Sequence, residues 1–95
     1  MPVVVVHQGV TREQYEQAVR RVTGGKERLD SPADWPVEGL LVHAAGEGAD
    51  GFRVVDVWQS EDAFHRFGET LVPILQELGV ESRPDVYPAH TFVAA

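Results

Sequence analysis

The stretch "FRVVDVW", residues 52–58, sets an aspartate inside a valine run and a tryptophan two residues further on. Alternation along an extended strand puts Asp56 and Trp58 on one face, beside Phe52 and Val54. A carboxylate on a central strand is costly when dry, so it must meet a partner, a pocket or water. Two readings of Asp56 follow. In one it is a pocket carboxylate that acts as a base or holds a substrate hydroxyl. In the other it is half of a structural ion pair, with Arg53 or Arg83 as its partner. Trp58 is likewise either packing for the core or an interface, or a platform for an aromatic substrate.

Six further side chains have chemistry to offer. His7 closes the first valine run, where an imidazole either moves a proton near neutral pH or bonds locally at the strand end. Tyr15 sits on the inward face of the first helix, which brings its hydroxyl near a pocket between helix and sheet. Trp35, just before Pro36, is a lid over the pocket mouth or a plug for a long loop. His43 and His90 read as structural, and their placement on opposite edge strands argues against a metal shared within one subunit. His65 has Glu61 and Glu69 one turn to either side, the pattern of a solvated helix histidine paired with carboxylates.

Composition removes other chemistry. The 95 residues contain no cysteine, which excludes disulfides, thiolate nucleophiles and thiolate metal sites. A net charge of −7 with Lys26 as the single lysine argues against nucleic acid and against an anionic membrane surface. No GxSxG, P-loop, dinucleotide or HExxH motif is present, so no flavin, heme or metal cofactor is expected. "GEGADG" has three glycines but joins two strands with no helix to follow, and it reads as a turn. The opening "MPVVVVHQG" lacks a basic leader, and its apolar run is too short for a signal peptide or a membrane span, so a cytoplasmic protein is expected.

These residues need elements to position them. "VVVVHQ", residues 3–8, is a β-branched run closed by Gly9 and reads as a strand. Thr11 with Gln14 forms a capping box for a helix whose inward face is Tyr15, Ala18, Val19 and Val22, ended by Gly24 and Gly25. Residues 26–38 hold two prolines and read as a loop. "GLLVHAA" and "FRVVDVW", joined by the glycine-rich segment, make a β-hairpin. Ser60 caps a second helix with an apolar face of Ala63, Phe64, Phe67, Leu71, Ile74 and Leu78, in which Pro73 predicts a kink or a break around residues 69–73. The last run, "DVYPAHTFV", reads as an edge strand because Pro88 cannot donate to a ladder.

The order β-α-β-β-α-β predicts one α+β domain over residues 1–95. It is a ferredoxin-like four-stranded antiparallel sheet, with two helices on one face and the hairpin's first strand and the last strand at the edges. Both faces of the strands are apolar, since Val3 and Val5 alternate with Val4 and Val6. The helix-free face therefore predicts a homodimer packed sheet on sheet.

"FRVVDVWQSEDAFHRF", with Ser60 and the Ala63–Phe64 pair at its helix start, resembles the strand–helix junction of the dimeric α+β barrel superfamily, particularly the antibiotic-biosynthesis-monooxygenase-like proteins. The strand order extends the resemblance over nearly the whole chain. It implies a substrate pocket between sheet and helices in each subunit, with His7 and Asp56 as catalytic groups and Tyr15, Trp35, Trp58 and Phe67 around the substrate. The heme-degrading branch is known for an Asn, Trp and His trio on the first strand and second helix. Those places hold His7, Phe67 and Glu77 here, so heme degradation is not expected.

The reading is thus a small-molecule-binding homodimer. It is a cofactor-independent monooxygenase or related enzyme acting on an aromatic, polyketide-like substrate, in which His7 or Asp56 deprotonates a phenol. The alternative is a non-catalytic binding or scaffold dimer. An apolar cavity of roughly 300 Å3 or more with His7 or Asp56 in its wall favours the enzyme, and a filled core favours the scaffold.

Overall fold

The computed structural model describes residues 1–94 apart from 27, 28 and 30. Among these residues the elements run β1 (Val3–His7), α1 (Arg12–Thr23), β2 (Leu40–Gly48), β3 (Gly51–Trp58), α2 (Glu61–Glu77) and β4 (Asp85–Pro88). The sheet order is β2-β3-β1-β4 with every neighbouring pair antiparallel. This is the ferredoxin-like βαββαβ arrangement, with the two edge strands where the element order places them.

Local sequence explains both helices. Thr11 Oγ1 accepts from the Gln14 amide while the Gln14 side chain accepts from the Thr11 amide, closing the capping box. Ser60 Oγ accepts from the Ala63 amide at the start of α2. At its end Gly79 takes φ +78°, its N–H reaches Gln76 C=O, and Val80 N–H reaches Leu75 C=O. That pair of bonds is a Schellman stop, which needs the left-handed residue glycine supplies.

Both helices cover one face of the sheet. Beneath them Val3, Val5, Leu40, Trp58, Ala63 and Phe67 form the buried cluster. Trp58 and Val5 are wholly enclosed. Gln14 Nε2 donates to Leu78 C=O at 3.3 Å, and Arg21 pairs with Glu77, so α1 is tied to the end of α2. On the opposite face Val42, Val57, Val4 and Tyr87 stand in one row across all four strands.

Four sequence expectations change. The hairpin turn is only Ala49 and Asp50, because Gly48 pairs with Gly51 and the flanking glycines belong to the strands. The second helix runs unbroken through Pro73. Proline removes one donor and leaves the Glu69 carbonyl without its helical partner, but Glu69 and Pro73 are both exposed, so water takes that bond. β4 ends at Pro88, with Ala89 N–H donating to Pro2 C=O just past it, so His90 lies beyond the strand. The loop read over 26–38 contains a 3-10 turn at Pro32–Asp34, while positions 27, 28 and 30 lie outside the described residues.

One irregularity matters for the site. β2 pairs Leu40 with Trp58 and then Val42 with Val57, so Leu41 is an extra residue, a β-bulge. Plain alternation from the inward Leu40 would turn Val42 in and His43 out. The bulge reverses the phase, and His43 faces the helices opposite Asp56.

Candidate active site

Asp56 is 3 % exposed, and its Oδ1 lies 2.6 Å from His43 Nδ1. On the other side of that ring, His43 Nε2 lies 2.6 Å from the Tyr15 hydroxyl oxygen. A carboxylate only accepts, so His43 Nδ1 carries a hydrogen and donates it to Asp56. When the ring is neutral, Nε2 accepts and Tyr15 donates to it, so the bonds run Tyr15 to His43 to Asp56; when the ring is an imidazolium, Nε2 donates to Tyr15. In the neutral state the Tyr15 hydrogen is engaged and its oxygen faces a ligand as an acceptor.

Aromatic contacts hold the chain in place. The Tyr15 and His43 rings stack at 5.8 Å with 13° between planes, and Tyr15 also meets Phe52 at 5.2 Å. Trp35 lies against His43 at 5.6 Å and against Phe67 at 4.8 Å. Its indole nitrogen is buried without an acceptor among the described residues. Behind Trp35 the chain turns tightly at Gly39, where φ is +111° and an added Cβ would sit 2.7 Å from Ala63 Cβ. Glycine there lets the segment that carries Trp35 close onto the start of α2.

Two spaces meet at this chain. A cavity of about 50 Å3 lies between sheet and helices, with His7, Asp56, Trp35 and Phe67 in its wall. A cleft of about 590 Å3 opens between α1 and the hairpin, lined in part by Arg12, Glu16, Glu47 and Phe52. Tyr15 and His43 line both. The cavity that holds His7 and Asp56 is thus far below the size expected of a ligand pocket, because Trp35, Phe67 and the α1 side chains fill the layer. The large space is the cleft.

Burial sets the protonation of the two groups at the margins. The His7 imidazole is pushed below its ordinary 6.5, first by burial, against the attraction of Asp56, with His43 adding to the fall. It is therefore neutral at pH 7. The Tyr15 hydroxyl is pushed up to about 12, first by burial and then by the charge of Asp56. A free tyrosinate is disfavoured, so Tyr15 serves proton transfer only by handing its hydrogen to His43 as it receives another.

The structure gathers His7, Tyr15, Trp35, Asp56 and Phe67 around one space. Trp58 stands apart, stacked beneath Phe67 at 5.2 Å and outside the cavity wall, because its strand position opposite Leu40 and Val3 sends the indole into the core. Neither arginine proposed for Asp56 reaches it. Arg53 and Arg83 are exposed, and Arg53 sits on the other face of β3. His43, read from sequence as structural, is the side chain that Asp56 bonds. Its signal was the cross-strand register, which the Leu41 bulge concealed. His65 is exposed, 3.6 Å from Glu61, and Glu77 is at the surface with Arg21. Among the described residues no three His, Asp or Glu side chains converge as metal ligands. Nor is any described helix long and apolar enough to cross a membrane.

The fold recurs in known proteins. It matches SnoaB, a cofactor-independent oxygenase from Streptomyces nogalater, with a TM-score of 0.57 and 17 % identity over 99 % of this chain and 95 % of that one. A point variant of SnoaB matches with a TM-score of 0.61, again at 17 % identity, over 99 % and 98 % of the two chains. The two chains share the ferredoxin-like βαββαβ fold. The resemblance read from the residue 52–67 junction therefore holds for the architecture of the whole chain. By sequence alone, no protein-family model matches and no curated protein does.

Proposed function

We propose that this chain is a cofactor-independent oxygenase of the SnoaB kind, working as a homodimer on an aromatic, polyketide-like substrate with an acidic hydroxyl. One observation carries the reading: the buried Tyr15–His43–Asp56 chain ends at a hydroxyl that, beside a neutral His43, accepts from a ligand, and it stands on a cleft large enough for a ring system. The shared fold with an oxygenase that needs no cofactor supports the same chemistry.

The chain of bonds performs the first step. A phenolic hydroxyl in the cleft donates to the Tyr15 oxygen; as its proton moves there, the Tyr15 hydrogen moves to His43 Nε2. Asp56 stabilises the imidazolium that forms, the role a carboxylate has in a Ser-His-Asp triad. The phenolate passes one electron to dioxygen, giving an organic radical and superoxide, and their recombination at a ring carbon makes the C–O bond. The proton held on His43 returns to the peroxide, and loss of water from the hydroperoxide leaves a quinone. One phenol and one dioxygen thus give one quinone and one water. His7, neutral in the inner wall, is the second proton carrier.

Oxygen uptake against a panel of dihydroxynaphthalenes and hydroxyanthrones tests the reading. Uptake with quinone formation is expected in the wild type, and Tyr15→Phe should lower kcat by about a hundredfold or more, the usual cost of losing a general base. The small size of the cavity around His7 and Asp56 favours a second reading, a binding dimer without chemistry. Saturable binding of the same compounds with no uptake by the wild type would establish it.

A further inference from the structure

The helix side of β2 carries His43, Ala45 and Glu47 in alternation, beside Asp56, Val54 and Phe52 on β3. The cleft of about 590 Å3 lies over this strip, with His43, Ala45, Glu47, Phe52 and Tyr15 in its wall. A methyl group, that of Ala45, thus separates two polar ends, the Tyr15–His43 bond and the Glu47 carboxylate. His43 and Glu47 lie four residues apart on an extended strand, a distance of roughly 13 Å. Among the described residues Glu47 is also the one charged group of the cleft left uncommitted. Arg12 and Glu16 are bonded to each other at 3.1 Å, whereas Glu47 has no hydrogen bond or ion pair there.

We propose that Glu47 selects the substrate by accepting a hydrogen bond from a second hydroxyl at the far end of its ring system, a role that rests on the oxygenase reading and adds to it the substrate's length and far substituent. One hydroxyl gives its proton to Tyr15. The other donates to Glu47, which as a carboxylate can only accept. Allowing about 2.7 Å for each hydrogen bond leaves roughly 8 Å between the two ligand oxygens, the span of two fused rings with hydroxyls at opposite ends rather than of a single ring. The rings lie over Ala45, whose methyl leaves the strip open, and Phe52 flanks them. A ligand with a carboxylate at the far end is rejected, because it would face Glu47 and Glu16 with Arg12 already paired.

Anaerobic calorimetric titration of the full chain tests this with a naphthalenediol whose hydroxyls stand at opposite ends, a naphthol that lacks the far hydroxyl, and a hydroxynaphthoate with a carboxylate in its place. Wild-type protein is expected to bind the diol about tenfold or more tightly than either of the others. Glu47→Ala should lose that preference, and Glu47→Gln should admit the hydroxynaphthoate. Glu47 is exposed, so both variants keep the fold. Ala45→Leu obstructs the strip and should weaken the diol by about tenfold. Equal binding of diol and naphthol by the wild type, or a preference that survives Glu47→Ala, overturns the proposal, and oxygen uptake with either compound then leaves the oxygenase reading standing. A preference that depends on Glu47 in a protein that consumes no oxygen with any phenol overturns the oxygenase reading, and Glu47 then selects the ligand of a binding protein.

Discussion

Asp56 and His43 face each other across the β2–β3 ladder, with 2.6 Å between carboxylate oxygen and ring nitrogen. Each is expensive to bury alone, and each supplies what the other lacks, an acceptor for Nδ1–H and a donor for Oδ1. In the neutral ring the pair places the hydrogen on Nδ1 and leaves Nε2 to accept from the Tyr15 hydroxyl. The proposed proton path rests on this strand register.

Asp56→Asn separates the chemical role of the pair from its structural one. The amide oxygen still accepts from Nδ1, so the expected stability loss is the difference between a charged and a neutral hydrogen bond, about 1 kcal/mol. For a domain of this size that is a fall in Tm of about 4–8 °C. Turnover should fall about a hundredfold or more, because the imidazolium loses its counter-charge. Thermal melting and steady-state kinetics on the same sample check both. A stability loss of about 3–5 kcal/mol would mark a structural ion pair and unseat the base reading.

Tyr15 has a signature of its own. The fold raises its hydroxyl from 10.0 to about 12, so the neutral form is the one that folding favours. The stability this contributes is complete below pH 10 and is lost as pH rises from there through 12. Ultraviolet titration is expected to resolve a late phenol step near pH 12 that Tyr15→Phe removes. In Asp56→Asn the step should move down but stay above 10.0, since burial, the larger cause, is retained.

Absence of bound chromophores is the third expectation. The sequence has no thiolate and no nucleotide motif, and at the three positions of the heme-degrading pattern it carries His7, Phe67 and Glu77. Purified protein should have no Soret or flavin band and no stoichiometric metal by elemental analysis. A visible band that persists through gel filtration would rule this out.

Much of the architecture was legible because its signals are local. Valine runs, the Thr11–Gln14 box, Ser60 and the Gly79 stop each act within a few residues, and together they leave a single element order. The site was legible only in part. Strand alternation put Asp56 on the helix side and helical spacing put Tyr15 there, but the link between them is His43, whose direction depends on one extra residue at Leu41. A bulge has no composition of its own in "GLLVHAA", so His43 read only as a structural histidine. Pro73 misled in the opposite sense. Its cost is real, but on an exposed turn water bears it, and burial is not written in the residue itself.

The helix-free face leads to the last prediction. Val42, Val57, Val4 and Tyr87 form a row across the sheet, with Ala44, Val55 and Val6 in the row beside it. Val42 is 38 % and Tyr87 49 % exposed in the single chain. Contiguous apolar surface of this kind is what a partner covers, and a second copy related by two-fold symmetry would do so with the same residues. A stable dimer buries about 800 Å2 on each partner, which one face of a four-stranded sheet provides. Sedimentation equilibrium at micromolar concentration should therefore give twice the 10.5 kDa chain mass. Val57→Lys places a charge in the middle of the row and should yield monomers, since the ammonium cannot be buried against its own copy. Val57 points away from the helices, so the Tyr15–His43–Asp56 bonds should persist in that variant, and its late phenol step checks that they do. A wild-type protein that sediments only as a 10.5 kDa species would reject the dimer.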